Sequence, residues 1–187
     1  MDRQAAWDLL CEHTKSDSLR KHGLAVEATM RYFAAKFGED EETWGVTGLL
    51  HDFDYERDPS GHPQNGKPIL DQAGVPGHIV HAIQSHGDHL GIPRVTAMEK
   101  TLYAVDELSG FLLACAYVRP QGLEGLTPKS VKKKLKQPSF AAAVNRDDVR
   151  GGAEVLGVDF DEHVAFVIAA LEARAGELGL TGAPATG

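Results

Sequence analysis

The chain has 187 residues, 42% apolar and 25% charged, the proportions of a globular protein with enough length to bury a real core, which excludes a disordered or fibrous class. A formal net charge of −8 argues against nucleic acid as a partner, because neutralising phosphates takes an excess of Lys and Arg; a small phosphorylated molecule remains open if a metal supplies the positive charge. Cys11 and Cys115 lie far apart in apolar helical patterns and read as buried free thiols rather than a disulfide framework. No run approaches the roughly 18 apolar residues of a membrane span, and Met1-Asp2-Arg3-Gln4 does not open a basic-then-apolar leader, so no membrane partner is expected and the expected compartment is the cytoplasm.

Apolar residues recur at helical spacing and no run alternates with period two, so the expected class is all-α. The first predicted helix covers residues 3–13, with Ala6, Leu9, Leu10 and His13 toward one side. A second covers 18–37, where Val26, Met30, Phe33 and Phe37 form a stripe, Gly38 ends it, and His22 points inward four residues before Val26. The third, over 41–52, carries Trp44, Val46, Leu49 and Leu50 and delivers His51 and Asp52 to a polar loop over 54–66. Pro76 suits the first turn of a short helix through His86, closed by Gly87. A long helix over 97–118 places Asp106 four residues after Leu102, at the edge of a core-facing stripe. Beyond Pro120, Thr127 and Pro128 read as a cap and a first-turn proline ahead of five lysines, at 129, 132, 133, 134 and 136. Further helices are expected over 147–156 and 159–178, and residues 181–187 are expected to fray. No repeat or long linker divides the chain, so a single domain over 1–187 is expected.

His22, the adjacent pair His51-Asp52, and Asp106 are two imidazoles and two carboxylates among apolar neighbours. A buried carboxylate is costly unless paired or metal-bound, and one divalent cation satisfies all four groups. Nitrogen with oxygen suits Mn, Fe, Co, Ni, Zn or Mg. The structural alternatives are a helix-end pair for His51-Asp52, a core histidine for His22, and an ion pair of Asp106 with Arg94 or Lys100.

On these residues the chain resembles the HD hydrolases, and within them a group of short bacterial predicted hydrolases. The resemblance is carried by His22, by His51-Asp52 in Gly48-Leu49-Leu50-His51-Asp52-Phe53-Asp54-Tyr55-Glu56-Arg57, and by Asp106 in Tyr103-Ala104-Val105-Asp106-Glu107-Leu108. It covers a core of about 15–120 and leaves 121–180 as a C-terminal helical extension. It implies an HD-domain helical bundle around a metal site, His22, His51, Asp52 and Asp106 as ligands, and metal-dependent hydrolysis of phosphomonoesters, phosphodiesters or nucleotides by an activated water. It also implies the option of a second metal held by histidines between the dipeptide and the last aspartate. Of His62, His78, His81, His86 and His89 in that interval, His86 is the preferred ligand and His62 the next.

The expected catalytic groups are Asp52 with His86 or Arg57, the latter two orienting the phosphate or protonating the leaving oxygen. Lys129, Lys133 and Lys134 are the candidate substrate contacts, and Asp54 and Glu56 the candidates for orienting the ligating imidazoles. Two rival readings use the same fold: a di-iron oxygenase, and a non-enzymatic module that senses a nucleotide.

Overall fold

Short polar side chains start the helices. Asp2, Ser16 and Asp40 each accept a backbone N–H at the heads of α1 (Arg3–His13), α2 (Asp17–Phe37) and α3 (Glu41–Leu50). The computed structural model describes residues 1–182, and among them every regular element is helical, as the spacing predicts. A lone antiparallel bridge between Gly122 and Thr181 is the nearest approach to a sheet among the described residues.

The chain divides into two compact units, residues 1–103 and 104–187. In the first, α3 packs against α1, α2 and α5 (Gly77–His86), and α4 (Lys67–Gln72) packs against α5. This central place explains why α3 is apolar almost all round, with every residue from Trp44 to Leu50 buried. Leu10, Leu49, Leu50, Phe53, Leu70 and Ile83 share one buried cluster there. Each such side chain contributes roughly 1.5–3 kcal/mol on leaving water. The helix that leads into His51 is therefore seated in the core of its unit.

Helix α6 (Ala97–Tyr117) contains the boundary between the units. In the second unit, α9 (Phe160–Glu172) packs against α7 (Pro128–Leu135), α8 (Arg146–Leu156) and α10 (Ala175–Leu178). Thr127 and Ser130 form the capping box that starts α7, and Asn145 and Asp159 cap α8 and α9. His163 is structural: it is buried and its ring N–H donates to the Ala104 carbonyl at 2.9 Å.

Several elements differ from the sequence expectation. The loop over 54–66 is followed by α4, with Pro68 in its first turn, and 3₁₀ turns occupy Gln64–Gly66 and Asp88–Leu90. Pro76 caps α5 rather than sitting inside it. The helix expected over 159–178 is two helices, parted at Ala173 and Arg174, where Arg174 leaves helical geometry. Phe37 is 46% exposed at the end of α2, where its ring meets those of Phe33 and Trp44. Thr181 is bridged to Gly122, and the Leu180 carbonyl accepts the Leu123 N–H, so the expected fraying does not begin at Thr181; residues 183–187 lie outside the described residues.

Gly48 permits the close crossing of α2 and α3. A Cβ there would lie 2.9 Å from the Val26 carbonyl and 3.0 Å from the Glu27 amide, both backbone atoms that cannot swing aside. Gly48→Ala is expected to destabilise the protein by about 1–3 kcal/mol, read as a lower midpoint in urea. An unchanged midpoint would show that the crossing is looser than described.

Candidate metal centre

Three backbone ties hold the residues around Asp52 in place. The Thr14 hydroxyl donates to the Phe53 carbonyl at 2.8 Å, in a buried bond that joins the end of α1 to the turn after α3. The Glu56 carboxylate accepts the N–H groups of Lys15 and Ser16 at 2.6 and 3.0 Å, and these bonds hold its pKa below the usual value. Glu56 thus anchors the start of α2, which carries His22, and the expectation that it orients an imidazole is corrected. The Gln84 amide donates to the Pro63 carbonyl at 2.6 Å, tying the turn that carries His62 to the helix that carries His86.

The tautomers of three imidazoles follow from their Nδ1 partners. His51 Nδ1 donates to the Gly48 carbonyl at 2.7 Å, and His86 Nδ1 to the Ile83 carbonyl at 2.5 Å. His62 Nδ1 donates to Asp54 Oδ1 at 2.6 Å. With Nδ1 carrying the proton, each neutral ring presents its Nε2 lone pair in the opposite direction.

The Nε2 atoms of these three rings, and that of His22, face Asp52. His51 Nε2 lies 3.4 Å and His22 Nε2 3.6 Å from Asp52 Oδ2, and the two nitrogens are 3.1 Å apart. On the other oxygen, His62 Nε2 lies 3.0 Å and His86 Nε2 3.6 Å from Oδ1, with 3.2 Å between the nitrogens. Acceptors this close repel unless a proton or a cation stands between them. The residues therefore fit a divalent metal by donor chemistry and by spacing: the ligand atoms of Asp52, His62 and His86 all lie within 4.8 Å of one another.

The same geometry governs protonation in the metal-free chain. Burial works against a charge on His62, but hydrogen bonds to Asp52 and Asp54 and the field of both carboxylates outweigh it and raise its pKa to about 9. Burial also opposes a charge on Asp52, yet the surrounding imidazoles hold its carboxyl well below the usual range. A proton on His62 thus stands in for a cation.

Asp54 is the support for this arrangement. It is 4% exposed, and its Oδ2 is buried without a hydrogen-bond partner. One oxygen left unsatisfied concentrates the interaction of the carboxylate on the His62 N–H. Gly66 makes room for it, since a Cβ there would fall 2.4 Å from Asp54 Oδ2. Arg94 steadies the helix end that carries His86: its guanidinium donates to the carbonyls of Ser85 and His86 at 2.8 and 3.0 Å, pairs with Asp88, and stacks 3.7 Å from the Tyr103 ring centre. Sequence reasoning did not single out Gln84, and it offered Arg94 only as a partner for Asp106. The one available signal was the helix end at Ser85-His86-Gly87, whose last carbonyls need donors.

The remaining histidines lie outside this cluster. His78, His81 and His89 are exposed, and His81 pairs with Glu99 at 2.8 Å. His13 is buried edge-on to Phe53 and accepts from the exposed Arg57 at 2.9 Å. Tyr55 is 42% exposed with its ring edge-on to His62 at 5.4 Å. Asp106 is half-buried on α6 in the second unit, which also contains Lys129, Lys133 and Lys134 on α7.

A family model described as "HD domain" matches residues 19–110, a span that includes His22, His51, Asp52, His62, His86 and Asp106. No curated protein and no solved structure matches the chain. No helix among the described residues is long and apolar enough to cross a membrane.

For chelator-treated protein a pH dependence follows from His62. Its folded pKa of about 9 lies above the ordinary 6.5, so the stabilisation from its ion pairs is complete below pH 6.5 and is lost as pH rises through 9. The Tm of the chelated wild type should fall across this window more steeply than that of His62→Gln. Parallel Tm curves for the two would remove the charge assigned to His62.

Proposed function

We propose, from the premise that the chain carries an HD domain over residues 19–110, that it is a metal-dependent hydrolase of phosphate esters. Its substrate class is a nucleotide or another small phosphorylated metabolite. The observation that carries this reading is Asp52, whose two oxygens each face a pair of imidazole nitrogens.

We assign His22, His51 and Asp52 to one cation, with Asp106, within the same HD span, as its fourth protein ligand. Asp52, His62 and His86 are assigned to a second. Bound divalent metal supplies a water of lowered pKa and positive charge against the phosphate oxygens.

The chain's own groups prepare the site for that chemistry. The Gly48 and Ile83 carbonyls keep the proton on Nδ1 of His51 and His86, leaving Nε2 free to ligate. Asp54 does this for His62 and makes its ring a stronger donor. His86 has one nitrogen committed to a carbonyl and the other facing Asp52, so we assign it to the metal rather than to proton transfer. Arg57 uses one guanidinium nitrogen on His13 and has further N–H groups for the substrate phosphate. Lys129, Lys133 and Lys134 supply additional positive charge for an anionic substrate. We place the protein in the cytoplasm, where the free Cys11 and Cys115 would stay reduced.

The di-iron oxygenase is the second reading, since two adjacent nitrogen-and-oxygen sites sharing Asp52 also suit a pair of irons. Oxygen uptake by the iron-loaded protein, without phosphate release by the manganese-loaded one, would establish it in place of the hydrolase.

The test is a hydrolysis screen with Mn, Co, Ni or Mg against phosphomonoesters, phosphodiesters and nucleotides. His51→Ala and Asp52→Ala are expected to lower turnover by a factor on the order of 10³ or more and to abolish tight metal binding. Full activity in either variant would overturn the assignment. Asp54→Asn touches no metal in this scheme, and it should weaken metal affinity about 10–100-fold, read by competition with a chromogenic chelator. Wild-type affinity in that variant would remove the supporting role given to Asp54.

A further inference from the structure

Helix α7 directs its lysines into two different surroundings. Lys132 pairs with Asp161 at 2.7 Å, and with Lys136 and Arg150 it lines a cavity that also contains Glu154 and Asp159, so its cations stand against carboxylates. Lys133 and Lys134 line a second cavity of about 260 Å³, together with Arg119, Ser130 and Gln137, over an apolar floor of Cys115 and Leu126. This lining has three cations and no carboxylate, in a chain whose net charge is −8.

The partners of these cations leave their charge uncancelled. Arg119 is fixed by the carbonyls of Gly122 and Glu124, at 2.9 and 2.6 Å, which orient the guanidinium without neutralising it. The Lys134 ammonium lies 4.6 Å from the centre of the Phe140 ring, another neutral partner. Lys133 is exposed and forms no ion pair among the described residues. Burial pushes the Cys115 thiol up to about 11 against the pull of Lys134 and Arg119, so it is neutral at physiological pH and adds no counter-charge. Three cations around one concavity repel each other until an anion enters.

We propose that this cavity is a binding site for a phosphate group, either as the free anion or as the phosphoryl end of a small metabolite. Arg119 offers a planar fork, Lys133 and Lys134 mobile point charges, and the Gln137 amide a further donor, which is the donor set that a tetrahedral oxyanion accepts. The volume lies below the roughly 300–1,000 Å³ of drug-sized ligand sites, which suits a phosphoryl group with a small attachment. The site is built wholly from the second unit and does not rest on the hydrolase reading; in it Lys133 and Lys134 serve this anion, which leaves Lys129 as the α7 lysine assigned to the hydrolase substrate.

Calorimetric titration of the full chain in chelator, which removes metal as a rival phosphate ligand, tests this with two probes, inorganic phosphate and adenosine monophosphate. Saturable binding of one probe or both is expected, with Lys133→Glu weakening it by a factor of about 10 or more and Lys133→Arg retaining it. Lys136→Glu makes the same charge change next to the same helix and should alter affinity by no more than about twofold. Tighter binding of the nucleotide would identify a phosphorylated metabolite as the ligand, and equal binding the free anion; both support the site. Absence of saturable binding by either probe, or equal losses in Lys133→Glu and Lys136→Glu, would overturn it.

Discussion

A carboxylate with lone pairs closing on both of its oxygens is the constraint around which the first unit is arranged. Asp52 meets the Nε2 atoms of His22 and His51 on one side and those of His62 and His86 on the other. Such a cluster is unfavourable by itself, because like-signed partial charges are held at 3.0 to 3.6 Å. Positive charge converts every one of those contacts from repulsive to attractive. A proton on His62 does so in part, and a divalent cation on each side does so for the whole cluster.

The fold holds the cluster together by giving each ring a second bond that it cannot easily exchange. Carbonyls within the turns that carry His51 and His86 fix two rings, and a buried carboxylate fixes the third. Behind them stand Thr14 on the Phe53 carbonyl, Glu56 on the amides that start α2, and Arg94 on the last carbonyls of α5. The apolar seating of α3 fixes where His51 starts, since Leu49 and Leu50, directly before it, are fully buried.

What was legible in the sequence was what depends on spacing. The inward stripe of α2 placed His22, the apolar run of α3 placed His51 and Asp52, and the helix end before Gly87 singled out His86. Thr127 and Pro128 gave the start of α7 through capping chemistry alone. What was not legible depends on which groups meet across the fold. Asp54 and Glu56 are two residues apart and chemically alike, yet one faces His62 and the other the start of α2, a difference set by the turns after α3 that no periodicity encodes. Arg94 entered only as an alternative partner for Asp106, and nothing in the spacing announced its place on the last carbonyls of α5. The lysine run read as one charged face, whereas four of its members line two cavities of different character.

Anomalous diffraction from a crystal of the manganese-loaded protein tests the central claim most directly. The account predicts one manganese peak beside each oxygen of Asp52, the first contacted by His22 and His51 and the second by His62 and His86. Manganese bound elsewhere, with the four imidazoles still facing an Asp52 that holds no metal, would contradict it.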